Sequence, residues 1–244
     1  MRKFGLIGYP LTHSFSQKYF TEKFGKDGIM DCVYEKFPLE DISALHAVLK
    51  DQELCGLNVT IPYKEKVISF LHEKNEIVHQ INACNCIKIR EGRLYGYNTD
   101  AIGFETSLLK KLQPRHNRAL ILGTGGAAKA VEYVIAKLGI EYSFVSRRPR
   151  PATTDILYED LDASLIRAHT LLINTTPLGM SPHTGDCPSL PYEAIGPEHY
   201  LFDVIYNPEK TLFLQKGEAQ GAVIENGYEM LILQAEESWK IWNS

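Results

Sequence analysis

The sequence predicts an α/β protein built as two α/β domains flanking a cleft, the second a doubly wound parallel sheet. Three observations predict it. Short β-rich runs alternate with amphipathic segments along the first hundred residues. A glycine-rich turn at Gly123–Ala128 stands between a short apolar strand and a helical segment, in βαβ order. The 244 residues suffice for one large domain or two modest ones, each able to bury its own core.

The elements follow in order. Phe4 to Ile7, Val33 to Phe37 and Leu57 to Ile61 read as strands, with amphipathic segments at Ser16 to Phe24, Ile42 to Leu49 and Pro62 to Leu71. Ala83 to Ile89 alternates like a half-buried strand, and Glu91-Gly92 supplies a turn from which Leu94 to Tyr97 pairs back as a hairpin. Ile102 to Leu112 places Phe104, Leu108, Leu109 and Leu112 on one helical face. The polar run Gln113 to Arg118, which carries Pro114, closes that helix. A new unit then starts, with strands at Ala119 to Leu122, Glu141 to Ser146, Thr170 to Ile173 and Tyr200 to Val204 and a helix at Ala127 to Leu138. A last helix, Glu229 to Trp242, spaces Leu231, Ala235, Trp239 and Trp242 at helical intervals and must pack somewhere, with the first domain as one candidate.

Composition narrows the function. A net charge of −4 makes nucleic acid an unlikely partner, and 44% hydrophobic against 23% charged residues is ordinary for a folded chain. Five cysteines at 32, 55, 84, 86 and 187 show no paired CxxC spacing, which argues against a disulfide framework and against structural zinc; no metal is expected. No signal segment is visible and no run reaches roughly 18 apolar residues, so no membrane association is expected and the cytoplasm is the expected location.

Gly123-Thr124-Gly125-Gly126-Ala127-Ala128 fits G-x-G-x-x-A between a strand and a helix, the context of a Rossmann-like dinucleotide site. Its glycines permit a tight turn and close backbone approach to a pyrophosphate, which the helix N-terminus then faces. About 20 residues on, where NAD sites place an acid, stand Ser146-Arg147-Arg148-Pro149. Two guanidinium groups can clamp a 2′-phosphate, so charge favours NADP; exposed arginines that are only solvated are the alternative.

Three polar clusters carry candidate chemistry. Pro62 suits the first position of a helix, which places Lys64 in its first turn, where a cation opposes the macrodipole. That field eases proton release from a group exchanging a proton with an alcohol; a surface lysine is the bland alternative. Asp100, just before a helix, reads as an N-cap or as the carboxylate partner of Lys64. Ser14 and Ser16, ahead of a helix beginning near Gln17, read as a cap or as a site for a substrate carboxylate. Gln234 would by default face solvent.

In order, the series Gly8…His13-Ser14-Phe15-Ser16, Gly56-x-Asn58-Val59-Thr60-x-Pro62-x-Lys64, Ala83-x-Asn85, Gly96-x-Asn98-Thr99-Asp100-x-x-Gly103, Gly123-x-Gly125-Gly126-Ala127, Asn174-Thr175-Thr176-Pro177-Leu178-Gly179-Met180, Asp203-x-x-Tyr206-x-Pro208 and Gly227-x-x-Met230-Leu231-x-x-Gln234-Ala235 closely resembles the shikimate dehydrogenases over nearly the entire chain. The resemblance implies reversible NADP-dependent reduction of 3-dehydroshikimate to shikimate, on the route to aromatic amino acids. It implies a substrate-binding catalytic domain of residues 1–101 with 227–244, and an NADP-binding domain of residues 102–226. By the same resemblance Ser14 and Ser16 hold the substrate carboxylate, while Thr60, Asn85, Asp100, Tyr206 and Gln234 contact its hydroxyls or ring. Lys64 exchanges the proton beside Asp100. Gly123, Thr124, Gly125, Gly126 and Ala127 cradle the pyrophosphate, Arg147 and Arg148 the 2′-phosphate, and the Val204 and Gly227 backbones the nicotinamide end. The implied partner is a small molecule, and the chain is expected as a monomer or homodimer.

Departures from the family pattern are local. Gln17 stands where Pro is usual, Phe20-Thr21 where His-Asn is usual, and Cys86 where Thr is common. Ser146-Arg147-Arg148 replaces a typical Asn-Arg-Thr; paired arginines resemble relatives that use NAD and quinate, but the acid that follows there is here Pro149. The rival readings are a quinate/shikimate dehydrogenase of broader specificity and a non-catalytic NADP-binding sensor on the same scaffold.

Overall fold

The computed structural model describes residues 1–11, 15–148 and 155–244. The chain folds into two compact units, Met1–Thr99 with Ala235–Ser244, and Asp100–Gln234.

The first unit opens with β1 (Arg2–Gly8), α1 (Phe15–Lys26) and β2 (Cys32–Pro38), followed by a 3-10 turn that runs into α2 (Leu45–Val48). Next come β3 (Leu54–Val59), the two-residue β4 (Glu73–Lys74), α3 (Glu76–Ile81), β5 (Cys86–Arg90) and β6 (Arg93–Tyr97). They form a mixed six-stranded sheet in the order β2-β1-β3-β5-β6-β4. The β5–β6 turn has positive φ at both Glu91 and Gly92, the two-residue geometry that matches strand twist. Asn75 starts α3 by accepting from the Val78 amide at 3.0 Å, and Asn82 ends it in the left-handed region.

Helix α4 (Thr99–Leu109) leads into the second unit. There β7 (Arg118–Leu122), α5 (Gly126–Lys137), β8 (Glu141–Ser146), β9 (Ile156–Leu157), α6 (Ala163–Ala168), β10 (Leu171–Asn174), β11 (Tyr200–Asp203), α7 (Leu212–Ala219) and β12 (Val223–Glu225) follow, and α8 (Tyr228–Asn243) ends the chain. The second sheet, ordered β12-β11-β10-β7-β8-β9, is parallel throughout. Strand order reverses between β7 and β10, the topological switch point at which doubly wound sheets bind ligands.

Alternation along the strands sorts each core. Leu57, Val59, Ile87 and Leu94 join one cluster of the first unit, under the segments around α2 and α3. Phe4, Leu6 and Cys86 face the other way, against Phe20 and Phe24 of α1 and Ala235 and Trp242 of α8. The Trp242 indole donates to the Ile87 carbonyl at 3.0 Å, fixing the end of α8 on that sheet. In the second unit Leu120, Leu122, Leu172 and Leu201 pack with Phe213 and Leu214 of α7, while Phe202 meets Phe104 of α4 edge-on at 5.0 Å.

The expected helix from Pro62 does not form. Glu65 precedes a 3-10 helix at Lys66–Phe70, and Lys64 lies in the turn ahead of it. The Lys64 carbonyl accepts from the Cys84 amide at 2.8 Å instead of closing a helical turn, and the buried Tyr63 is anchored through its hydroxyl to the Leu39 carbonyl at 2.6 Å. Tertiary hydrogen bonds override local propensity here, so Lys64 does not sit in the field of an α-helix N-terminus as its spacing suggests.

Candidate functional site

In the first unit β3 runs parallel to β1 and antiparallel to β5. The C-terminal ends of β1 and β3 and the N-terminal end of β5 therefore share one sheet edge, which brings Thr60, the Lys64 turn and Asn85 together. Val59 donates its amide to the Asn85 carbonyl at 2.9 Å, and Thr60 donates to Ile7 at 2.9 Å. The short segment Ala83–Asn85 is held from several sides. Cys84 donates to the Lys64 carbonyl at 2.8 Å, the Asn98 amide group donates to the Ala83 carbonyl at 2.9 Å, and the Thr99 amide donates to Asn85 Oδ1 at 2.6 Å. The stretch carrying Lys64 and the stretch leading into Asp100 are thus bonded to the same three residues.

Two cap readings change. Helix α4 starts at Thr99, because Asn85 Oδ1 takes the Thr99 amide, so Asp100 stands inside the first turn and not at the cap; a carboxylate is favoured there by the helix dipole. Helix α1 starts at Phe15, so Ser16 is likewise within its first turn. Its hydroxyl bonds the buried Tyr34 phenol, whose pKa burial raises well above its ordinary value. Ser14 lies outside the described residues. Gln234 does not face solvent: it is 7% exposed and donates to the Leu231 carbonyl at 2.9 Å. Tyr206 is 37% exposed, with burial of the rest raising its pKa.

In the second unit the glycine turn leaves the C-terminal end of β7 at the switch point. Gly123 has φ +98°, and a Cβ there would come within 2.8 Å of the Thr176 methyl, so glycine is required twice over. Gly125 caps α5 without a side chain, and the Cβ directions of Gly125 and Gly126 are open for 4 Å, leaving their N–H groups approachable. A cavity of about 290 Å³ lies against Gly123, Thr124, Gly125, Arg147, Thr175 and Thr176. A second, of about 570 Å³, is bordered by Thr124, Ser146, Arg147 and Arg148. Arg147 thus borders both cavities, and Arg148 the second, which touches the glycine turn at Thr124. Pro149 falls outside the described residues. Beyond β11, a Cβ on Gly227 would overlap the Val204 carbonyl, and the Gly227 amide donates to Ile205 at 2.9 Å; these backbones touch because position 227 carries no side chain.

The end of β10 supplies a wall that motif spacing named without assigning it a role. Asn174 Oδ1 accepts from the Thr176 amide and hydroxyl at 3.0 and 2.7 Å, while its Nδ2 donates to Asp203 Oδ1 at 3.1 Å. Asp203 is fully buried and also accepts from the Ile205 amide at 3.0 Å and the Thr211 hydroxyl at 2.6 Å. Burial outweighs these bonds and pushes its pKa up to about 6.

Residues 6–87 match the family model of the shikimate dehydrogenase substrate binding domain. A shikimate dehydrogenase (NADP(+)) from Caldicellulosiruptor saccharolyticus is 37% identical, the alignment covering 99% of this chain and 92% of the relative. The chain belongs to the shikimate dehydrogenase family. Among solved family structures, a chorismate mutase/shikimate 5-dehydrogenase fusion protein from Clostridium acetobutylicum superposes with a TM-score of 0.89 at 34% identity, over 100% of this chain and 91% of that one. The shikimate 5-dehydrogenase of Thermus thermophilus, solved with NADP(H) and shikimate, gives 0.87 at 30% identity over 99% and 93%.

The family's dinucleotide fits the residues present. Open amide directions at Gly125 and Gly126, the start of α5 behind them and two guanidinium groups bordering the adjoining cavity make a cradle for a pyrophosphate and an added phosphate. No helix among the described residues is long and apolar enough to cross a membrane.

Proposed function

We propose that this chain catalyses the reversible NADP-dependent reduction of 3-dehydroshikimate to shikimate, in the biosynthesis of aromatic amino acids. The observation that carries the reading is the common hold of Ala83–Asn85 on the Lys64 turn and on the Thr99 start of α4, joined to family membership across the whole chain.

One set of residues binds the acid and another the cofactor. Ser14 and Ser16 hold the carboxylate, and Thr60, Asn85, Asp100, Tyr206 and Gln234 contact hydroxyls or the ring. A site built to pair hydroxyls rejects analogues that leave its polar groups unpaired. Lys64 moves the proton at the reacting oxygen, taking it from the alcohol in one direction and giving it to the forming alkoxide in the other. Asp100 orients the Lys64 side chain toward that oxygen. Gly123, Thr124, Gly125, Gly126 and Ala127 hold the pyrophosphate, Arg147 and Arg148 the 2′-phosphate, and the Val204 and Gly227 backbones the nicotinamide end. The chemistry NADP supplies when bound is hydride exchange with the ring carbon. Five free thiols suit a reducing compartment, and the cytoplasm is the proposed location.

The test crosses shikimate and quinate with NADP and NAD, following absorbance of the reduced nicotinamide. Shikimate with NADP should give the highest kcat/KM. A higher value with quinate or NAD would replace the specificity, and no turnover with any pair would leave a cofactor-binding protein without this activity.

A further inference from the structure

A line of buried polar side chains crosses the first unit between its sheet and helices α1 and α8. The Tyr34 phenol accepts from the Ser16 hydroxyl and donates to Asn58 Oδ1 at 2.8 Å. Asn58 Nδ2 donates to Ser238 Oγ at 3.0 Å and to the Asn85 carbonyl at 3.4 Å. Ser238 Oγ lies 3.2 Å from Thr99 Oγ1, which accepts from Asn85 Nδ2 at 3.0 Å. Thr99 and Ser238 are completely buried, and Tyr34, Asn58 and Asn85 nearly so.

Connectivity assigns the Tyr34 proton and the orientations of the Asn58 and Asn85 amides. Tyr34 has one, and it goes to Asn58 Oδ1, which turns the Asn58 amide so that its N–H groups face Ser238 and Asn85. Thr99 Oγ1 and Ser238 Oγ are hydrogen-bonded to each other, either hydroxyl able to donate. The Ser238 hydroxyl also bonds the Cys86 thiol. Asn85 commits Oδ1 to the Thr99 amide and one N–H to the Thr99 hydroxyl, and among the described residues its second N–H has no partner. Position 238 lies between Ala235 and Trp242, in an apolar cluster where alanine would pack as well. A buried polar chain with each member satisfied fixes one arrangement of its groups, and loss of one member leaves its neighbours unpaired.

We propose that Ser238, with Tyr34, Asn58 and Thr99, is a positioning residue. The set holds the Asn85 amide ready to donate to a substrate hydroxyl and ties it to the Ser16 hydroxyl, so that the carboxylate and hydroxyl ends of the substrate are read by one connected unit. A carboxylate accepting the Ser16 proton withdraws the donor from Tyr34, and the change is felt through Asn58 as far as Asn85. This inference rests on the proposed roles of Ser16 and Asn85.

The experiment compares Ser238→Ala, Thr99→Val, Thr99→Ser and the Ser238→Ala/Thr99→Val double variant with the parent. It measures shikimate Kd by calorimetry, KM and kcat, NADP Kd by fluorescence, and Tm. Ser238→Ala and Thr99→Val should each weaken shikimate binding about tenfold, with kcat and NADP Kd within about twofold of the parent. Thr99→Ser, which keeps the hydroxyl, should restore parental affinity. The double variant should be no worse than the weaker single, because a broken chain cannot be broken twice. Unchanged shikimate Kd in Ser238→Ala would overturn the proposal, as would lowered Tm with both ligands weakened together; additive losses would overturn the connection. Ser238→Ala carries the test alone if Thr99→Val does not fold. A parent that binds shikimate without turning it over counts against the proposed activity and leaves the binding comparison decisive; a parent that does not bind it overturns both.

Discussion

The Cys84 amide donates to the Lys64 carbonyl at 2.8 Å, drawing the turn after β3 against the start of β5. That one bond explains why Lys64 leaves the helical path its neighbours suggest. It also sets the lysine beside Asn85, which in turn receives the first amide of α4.

Arg147 and Arg148 border the same cavity, and charge-assisted hydrogen bonds to a phosphate are worth about 1.5–3 kcal/mol each. Replacing either with alanine should raise NADP Kd roughly 10- to 100-fold and leave NAD Kd nearly unchanged. Fluorescence titration with both dinucleotides measures the ratio; equal losses for both would remove the arginines from phosphate recognition.

Gly123 combines φ +98° with close approach to Thr175 and Thr176. Gly123→Ala should cost about 1–3 kcal/mol of stability and distort the cofactor turn. Denaturation and NADP titration of the variant should both shift; parental behaviour in both would show the turn tolerates a side chain.

Asp203 makes stability pH-dependent with a definite sign. Its folded pKa, about 6, lies above the unfolded carboxylate value, so its contribution is fully present below about pH 4 and is lost as pH rises through 6. The loss is about 3 kcal/mol. Asn at 203 can keep the Ile205 and Asn174 bonds but cannot titrate. The stability of the parent relative to Asp203→Asn should therefore fall between about pH 4 and pH 7, as read by denaturant unfolding across that range. A constant difference would refute the assignment.

Ser107 on α4 is fully buried, and its hydroxyl has no hydrogen-bond partner among the described residues. Ser107→Ala removes an unpaired polar group and improves helix propensity, so it should stabilise the protein by about 1 kcal/mol and raise Tm by a few degrees. Calorimetry showing a lower Tm would point to a partner for that hydroxyl.

Strand and turn chemistry were legible because they are local. Alternation at Leu94 to Tyr97, the Glu91-Gly92 turn and the Gly123 turn each depend on nearest neighbours and stand where the pattern puts them. β4, β9 and β12 were not legible, being two or three residues long and defined only by the strands they pair with. The Lys64 turn, the burial of Gln234 and the Tyr34–Asn58–Ser238 line depend on partners as far as 180 residues away, which no periodicity encodes. Thr175 and Thr176 had a signal in the Asn-Thr-Thr-Pro block, yet only the fold places them against the glycine turn.

The most direct test of the account is the steady-state and binding behaviour of Lys64→Ala with shikimate and NADP. Loss of a proton-exchanging group should lower kcat by roughly 10²- to 10⁴-fold, with much smaller changes in shikimate KM and none in NADP Kd. Near-parental kcat in a folded variant would take Lys64 out of the chemistry and contradict the mechanism.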